Sequence, residues 1–455
     1  MEASLTQTVA RHRLTHDDLL APFHESCKSE DKWRVGAEAE KFGVLQGTFE
    51  PLPFDGPRSV RAVLDGLVER FGWTPTSEYA GGEVISLTRG HASITLELGG
   101  QLELSGAPFA SIHDTHDEWA QHIEELREIG EPLGIAWLGL GFHPFARQGD
   151  LPWVPKLRYG VMRDYLPTRG SMGLDMMRRT CTVQANLDFG SEADAMRKLR
   201  VAVALSPIIT AMFANSPLYE GGLGSERSRR ALVWLNTDPD RTGLLPFLWS
   251  GKPSFAGYAE WALDVPMFLV KRGSKIVHNT GQTFRAFMRD GYAGIEATAE
   301  DWFTHLGTLF PEVRLKKTIE IRGADSLPYA LTPALAALSK GLFYDDQALT
   351  KAEALVSSLD YDAVQGVRRE VAQQALSAKL GGRALGEWAV QLVSIASEGL
   401  TRLSVRSPSP RGSEALYLHP LESLLARGQT PADALLARLD HTRPLAPQVV
   451  ELSRL

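Results

Sequence analysis

The 455-residue sequence predicts an α+β fold, with an antiparallel sheet and helices in residues 1–330 and a mainly helical portion over 331–455. Strand-like and helix-like patterns interleave irregularly, without the steady βαβ rhythm of a parallel sheet. From about residue 330 onward the pattern is almost entirely helical, as in ALGEWAVQLVSIASEGLTRL. No repeat, low-complexity run or linker divides the chain, and 44% of its residues are hydrophobic, so residues 1–455 are expected to form one domain with a large core.

The elements follow in order. LTHDDLLAPFHESC reads as an amphipathic helix with Thr15 as N-cap and Asp18 completing a capping box. WRVGAEAEKFGV alternates as a strand does, and VRAVLDGLVERFG at 60–72 is a helix. EVISLTRGHASITLELGGQLELSG carries a hairpin pattern, HDEWAQHIEELREIGEPLG at 116–134 a helix, and IAWLGLGFHP an apolar strand. TCTVQANLDF at 180–189 alternates again before a long buried helix at 192–216. Residues 217–256 are rich in Gly and Pro and read as loop, and loops this long are usually functional or disordered. KKTIEIRGAD at 316–325 is a further strand.

Lys and Arg total 48 against 55 Asp and Glu, a net charge of -7, so no basic field points to nucleic acid as the principal partner. No run of about 18 apolar residues is present, and the first residues lack the apolar stretch of a secretory signal; a cytoplasmic protein without membrane attachment is expected. Cys27 and Cys181 are the only cysteines, too few for a disulfide framework and badly spaced for structural zinc. A bridge between them is conceivable on paper. Cys181 falls on an apolar strand face with no histidine nearby, which suits a buried thiol better than a nucleophile.

SITLELGGQLELSG sets Glu97 and Glu103 on either side of Gly-Gly-Gln. A loop of Gly99, Gly100 and Gln101 would pair Leu98 with Leu102, Glu97 with Glu103 and Leu96 with Leu104, making both faces uniform. Like charges opposed in this way destabilise by roughly 0.2–1 kcal/mol unless a cation lies between them. A solvated edge hairpin would tolerate the pair, but three other strands repeat the design. Glu38 and Glu40 share a face, as do Thr182, Gln184, Asn186 and Asp188, and as do Thr318, Glu320 and Arg322. Carboxylates without lysine neighbours suit hard divalent ions whose remaining waters phosphate oxygens can replace.

Other motifs fail. Gly251-Lys252 has Pro246 where a P-loop needs glycine, and His24-Glu25 is not followed by the second histidine of HExxH. HDTHDEW at 113–119 fits either a metal cluster or an acidic helix start.

WRVGAEAEKFGV, ITLELGGQLELSGAP, RYGVMRDYLP, GLDMMRRTCTVQANLDFGSEADAMRKLR, FANSPLYEG, TDPDRTGLLPF, ALDVPMF and FPEVRLKKTIEIRGAD together resemble the plant-type glutamate–cysteine ligases, a family also found in bacteria. The resemblance runs from about Leu14 to GQTPADALL near the C-terminus. It implies a glutamine synthetase-like curved antiparallel sheet around an active site, backed by helices. It also implies that ATP phosphorylates the γ-carboxylate of L-glutamate and that the amine of L-cysteine then displaces phosphate, giving γ-glutamylcysteine, the first step of glutathione synthesis. Plant members are regulated by intramolecular disulfides, an arrangement that two cysteines cannot reproduce.

On that resemblance, two or more Mg2+ ions are expected on Glu38, Glu40, Glu97, Glu103 and Glu320, with Glu103, Glu320 and Arg322 catalytic. Gln184, Asn186 and Arg322 are assigned to ATP, and Arg158, Tyr159, Trp234 and Arg241 to the amino-acid substrates. Arg163 and Arg285 are weaker candidates, since a lone arginine also fits a surface ion pair. The protein is expected to act as a monomer or homodimer. A relative using another amine acceptor, or a non-catalytic nucleotide- or metal-binding relative, would carry much of the same pattern.

Overall fold

A computed structural model describes residues 14–79, 81–273 and 275–455. Helix α1 (His16–His24) opens with the expected capping box: Thr15 Oγ1 accepts the Asp18 N–H at 3.3 Å, and the Thr15 N–H donates to Asp18 Oδ2 at 2.7 Å. The residues before Leu14, read above for a secretory signal, lie outside the described residues.

The centre is a nine-stranded sheet, antiparallel at every pairing. Its strands are β1 (Val35–Leu45), β2 (Thr74–Ser77), β3 (Val84–Arg89), β4 (Ala92–Leu96), β5 (Leu102–Ser105), β6 (Ile135–Leu138), β7 (Thr182–Leu187), β8 (Val313–Leu315) and β9 (Ile319–Asp325). They run in the order β8-β9-β7-β1-β5-β4-β3-β2, with β6 joined to the far end of β1. The alternation read from the sequence determines which face is buried. Ala39, Leu104, Ile94, Val183, Ala185, Ile319 and Ile321 point into the core.

Helices cover that apolar face: α2 (Val60–Phe71) and α3 (Ile112–Gly130) at one end, α6 (Glu192–Met212) and α8 (Thr332–Phe343) at the other. Across the polar face lie α4 (Leu157–Tyr165), α5 (Gly173–Arg179) and α7 (Arg229–Leu235), held by a second apolar cluster that includes Leu98, Tyr159, Met176, Met177 and Val233. The chain from Thr332 to Ser453 is mainly helical, as expected. Among the described residues no helix is long and apolar enough to cross a membrane.

Two readings need correction, and HDTHDEW takes the second of the two forms open to it, the acidic helix start. The stretch 217–256 is not all loop, because Ser228 caps α7, a helix too short to show a periodic pattern. HDTHDEW belongs to the start of α3: His113 bonds Tyr417 through its Nδ1 at 2.9 Å, Asp117 pairs with Arg411, and Ser111 caps the helix. The hairpin register is displaced by two residues. Leu96 pairs with Leu102 and Thr95 with Glu103, leaving Glu97 to Gln101 as a five-residue loop. Because the shift is even, the faces stay as read, but Glu97 and Glu103 are not a cross-strand pair.

The longer loop is fixed by Gln101, whose buried amide accepts the Gly99 N–H at 2.8 Å and donates to the Thr180 carbonyl at 3.0 Å. Gly100 takes φ +82°, and a Cβ on Gly99 would overlap the Arg178 carbonyl, so both glycines are required. Gln101→Ala is expected to cost about 1–3 kcal/mol, measured by denaturant unfolding, since it orphans buried groups on both sides.

Candidate active site

The polar face of the sheet is the floor of a cavity of about 310 Å³. Glu38 and Glu40 rise from β1, Glu103 from β5, Gln184 from β7, and Glu97 from the β4–β5 loop. Glu103 stands directly opposite Glu40, so the cross-strand carboxylate pair exists with a different partner from the one expected. Thr95 and Ser105 hydroxyls donate to Glu103 at 2.7 and 3.1 Å, and the Thr182 N–H donates to Glu40 at 3.0 Å. Burial pushes the Glu38 carboxyl up to about 8, with Glu320 and Glu103 adding repulsion. Burial, then Glu103 and Glu97, hold Glu40 well above the usual carboxylate range, and burial also raises Glu97. Such a floor is short of positive charge.

The walls carry the cations. Arg158 and Tyr159 come from α4, where the Tyr159 hydroxyl donates to the Leu96 carbonyl at 3.3 Å and its ring lies under Arg158. Trp234 comes from α7, and its buried indole N–H has no partner among the described residues. Arg322 lies at a bulge in β9 and donates to Gln184 Oε1 at 2.9 Å. Of the residues chosen from sequence, Glu38, Glu40, Glu97, Glu103, Arg158, Tyr159, Gln184, Trp234 and Arg322 all line this one cavity.

The other choices are placed differently. Glu320 is gripped from both sides: Arg314 binds it in bidentate fashion, with Nε and Nη2 each 2.9 Å from a carboxylate oxygen, and Arg322 also pairs with it. Burial raises this carboxyl, but Arg314, Arg322 and Lys316 outweigh burial and hold it down at about 2. Both of its oxygens are thus engaged by arginines in this structure, whereas Glu38, Glu40, Glu97 and Glu103 meet no such bidentate partner among the described residues. Asn186 is not in the cavity lining; its Nδ2 donates to Glu38 Oε1 at 2.8 Å and so orients that carboxylate. Arg241 is fully buried, paired with Asp238 at 2.6 Å and donating to the Pro266 and Thr308 carbonyls at 2.8 and 3.3 Å. It meets the site through Thr308 and through Phe310, whose N–H donates to the Arg241 carbonyl at 2.8 Å; both residues line the cavity, and Arg241 itself is not in the lining. Arg285 pairs with Asp264 and Glu260, and Arg163 lies beside Asp164, both at the surface. Cys27 and Cys181 are free thiols, and Cys181 is buried.

Sequence reading missed Arg230, Arg314 and Lys316, which also line the cavity. The β8–β9 hairpin signals two of them, because pairing Arg314 with Glu320 places Lys316 at the turn. Arg230 has no such signal, since it sits in the short helix hidden in the Gly/Pro-rich stretch.

Among the described residues no three His, Cys, Asp or Glu side chains are drawn into a ready-made coordination shell. Mg2+ needs no such shell, since it keeps waters and takes one or two carboxylates beside phosphate oxygens. The donor set fits such an ion: Glu38, Glu40, Glu97 and Glu103 offer only oxygen, and burial, with repulsion from neighbouring carboxylates, raises Glu38, Glu40 and Glu97.

Comparison with known proteins gives the family of the chain. The model of Glutamate-cysteine ligase family 2 (GCS2) matches residues 34–451. The chloroplastic glutamate–cysteine ligase of Brassica juncea is 42% identical over 431 residues, covering 94% of this chain and 82% of that one. Glutamate–cysteine ligase B of Oryza sativa subsp. japonica, also chloroplastic, is 41% identical over 93% of this chain and 84% of its own length. The cytoplasmic expectation is overturned by these relatives, whose names place them in the chloroplast. A crystal structure of the Francisella tularensis glutamate–cysteine ligase in complex with AMP has a TM-score of 0.57 at 13% identity, covering 92% of this chain and 87% of that one, a likeness of fold. With the family model and these relatives spanning nearly all of it, the chain belongs to the glutamate–cysteine ligase family 2.

Proposed function

We infer that the protein is a glutamate–cysteine ligase that uses ATP to join the amine of L-cysteine to the γ-carboxylate of L-glutamate through γ-glutamyl phosphate. The observation that carries this reading is the pairing, in one cavity, of a floor of Glu38, Glu40, Glu97 and Glu103 with walls bearing Arg158, Arg230, Arg314, Lys316 and Arg322. A carboxylate attacking a triphosphate meets strong charge repulsion, and both halves of this cavity answer it. The floor residues would hold Mg2+, which when bound supplies the charge that draws the triphosphate onto carboxylates.

Arg322 and Lys316 face the phosphoryl group in transit, and Gln184 orients the nucleotide. Arg158 grips a substrate carboxylate, while Tyr159 and the unpartnered indole N–H of Trp234 bound the amino-acid space. The γ-carboxylate oxygen attacks the γ-phosphorus and ADP leaves. The cysteine nitrogen then attacks the activated carbonyl, its proton is lost, and phosphate departs with the former carboxylate oxygen. γ-Glutamylcysteine would feed glutathione synthesis.

Phosphate release by the purified protein should require ATP, Mg2+, L-glutamate and L-cysteine together. Turnover with other amines and none with cysteine would sink the acceptor assignment. ATP and Mg2+ binding by calorimetry without any turnover would favour a non-catalytic relative.

A further inference from the structure

Asp325 ends β9 fully buried, and three donors converge on it. The Asn215 N–H and the Ser216 hydroxyl reach Oδ2, each at 2.7 Å, and the Ser228 hydroxyl reaches Oδ1 at 2.9 Å. Both serines pass the interaction on to α7: Ser216 Oγ accepts the Arg230 N–H at 3.2 Å, and Ser228 Oγ accepts the Ala231 N–H at 3.1 Å. Two of the N–H groups that a helix start leaves unpaired are thereby satisfied. A carboxylate can only accept, so it forces each serine hydroxyl to donate to it and keeps the serine lone pairs for the helix.

The circuit closes on the strand. Arg230 Nη2 donates to the Arg322 carbonyl at 3.0 Å, at the bulge of β9, and Trp234 lies one turn further along α7. The approach is tight, because a Cβ on Gly141 would overlap the Asp325 carboxyl. We propose that Asp325 is a positioning residue of the ligase: it locks α7 to β9 so that Arg230 and Trp234 share one cavity wall with Arg322. The inference rests on the ligase reading of that cavity.

Asparagine in place of Asp325 presents an NH2 to at least one donor, so one of the three hydrogen bonds that converge on the carboxyl is lost or must reverse, leaving a buried proton without its acceptor. The test is a double-mutant cycle on the full chain, following kcat and KM for ATP, glutamate and cysteine. Asp325→Asn is expected to lower kcat about 10- to 100-fold, with KM for ATP changed less than about threefold. In an Arg230→Met background the same change should lower kcat at least about threefold less than it does with Arg230 present, because the charged group being positioned is already gone and only Trp234 remains. Ser228→Ala keeps the carboxylate and breaks one relay, and serves if Asp325→Asn does not fold. Its expected loss of kcat is about 3- to 10-fold, again larger with Arg230 present than in the Arg230→Met background. Equal losses in both backgrounds, or unchanged kcat in the variants, would overturn the assignment alone. A wild type without cysteine-dependent turnover would overturn the ligase reading and this assignment with it.

Discussion

Glu103→Gln should lower ligase turnover by about 10²–10³-fold while raising the melting temperature of the metal-free protein. Both effects have one cause. Glu103 stands opposite Glu40 on buried strands, and neither carboxylate has a side-chain cation bound to it. The opposed pair costs about 1 kcal/mol or more in the absence of a bound cation. Glutamine removes the charge but keeps the shape, and the Thr95 and Ser105 hydroxyls can rotate to accept from its NH2. The variant therefore folds at least as well and binds divalent ions worse. A variant with more than a tenth of wild-type kcat, or with a lowered metal-free melting temperature, would refute the argument.

Glu38, Glu40 and Glu97 give the metal-free protein an unusual dependence on pH. A carboxyl raised in the folded state binds its proton more tightly there than in the unfolded chain, so folding is favoured at low pH. For Glu38, raised from 4.5 to about 8, that advantage is lost as pH climbs between those values. Metal-free thermal stability should fall across this window by up to about 1.4 kcal/mol per pH unit, and Mg2+ should flatten the fall. A flat metal-free profile would show that the floor carboxylates are not held up.

How much of this was legible in the sequence depended on whether period or distance carried the signal. Strand faces were legible because alternation at two residues is local: RVGAEAEKF alone places Glu38 and Glu40 on one side and Ala39 on the other. Helix α1 was legible down to its capping box. The hairpin register was half legible. Face uniformity fixes the register only to an even number of residues, and the choice between a three- and a five-residue loop was made by Gln101 reaching Thr180, a contact across 79 positions. Arg241 and Glu320 illustrate the other limit. Residue type says that an arginine or a glutamate can bind a ligand, but not whether its valence is already used by Asp238 or by Arg314. Arg230 was hidden because its helix, Arg229–Leu235, is too short to announce itself.

Glu320→Gln should have the opposite effect on stability, a loss of about 3–5 kcal/mol, although it too removes one glutamate from the polar face of the same sheet. Glu320 is held by Arg314 and Arg322, so its removal strands two guanidinium groups in a buried setting. Here the folded-state carboxyl is depressed to about 2 from 4.5, so its contribution is fully present above the unfolded value and is lost as pH falls from 4.5 toward 2. Denaturant unfolding at neutral pH measures the loss, and the acid limb supplies an independent check: wild type should lose stability between pH 4.5 and 2 more steeply than the variant. Adding Arg314→Met to Glu320→Gln should recover part of the loss, because one of the stranded charges then goes. A Glu320→Gln protein as stable as wild type would mean that the pair is not formed in solution, and Glu320 would return to the carboxylates free to meet a metal. On the proposed reading, two glutamates on one sheet face thus serve opposite ends: Glu103 would be kept at a cost to the metal-free protein for the cation it is to meet, and Glu320 has its cations, Arg314 and Arg322, already built in.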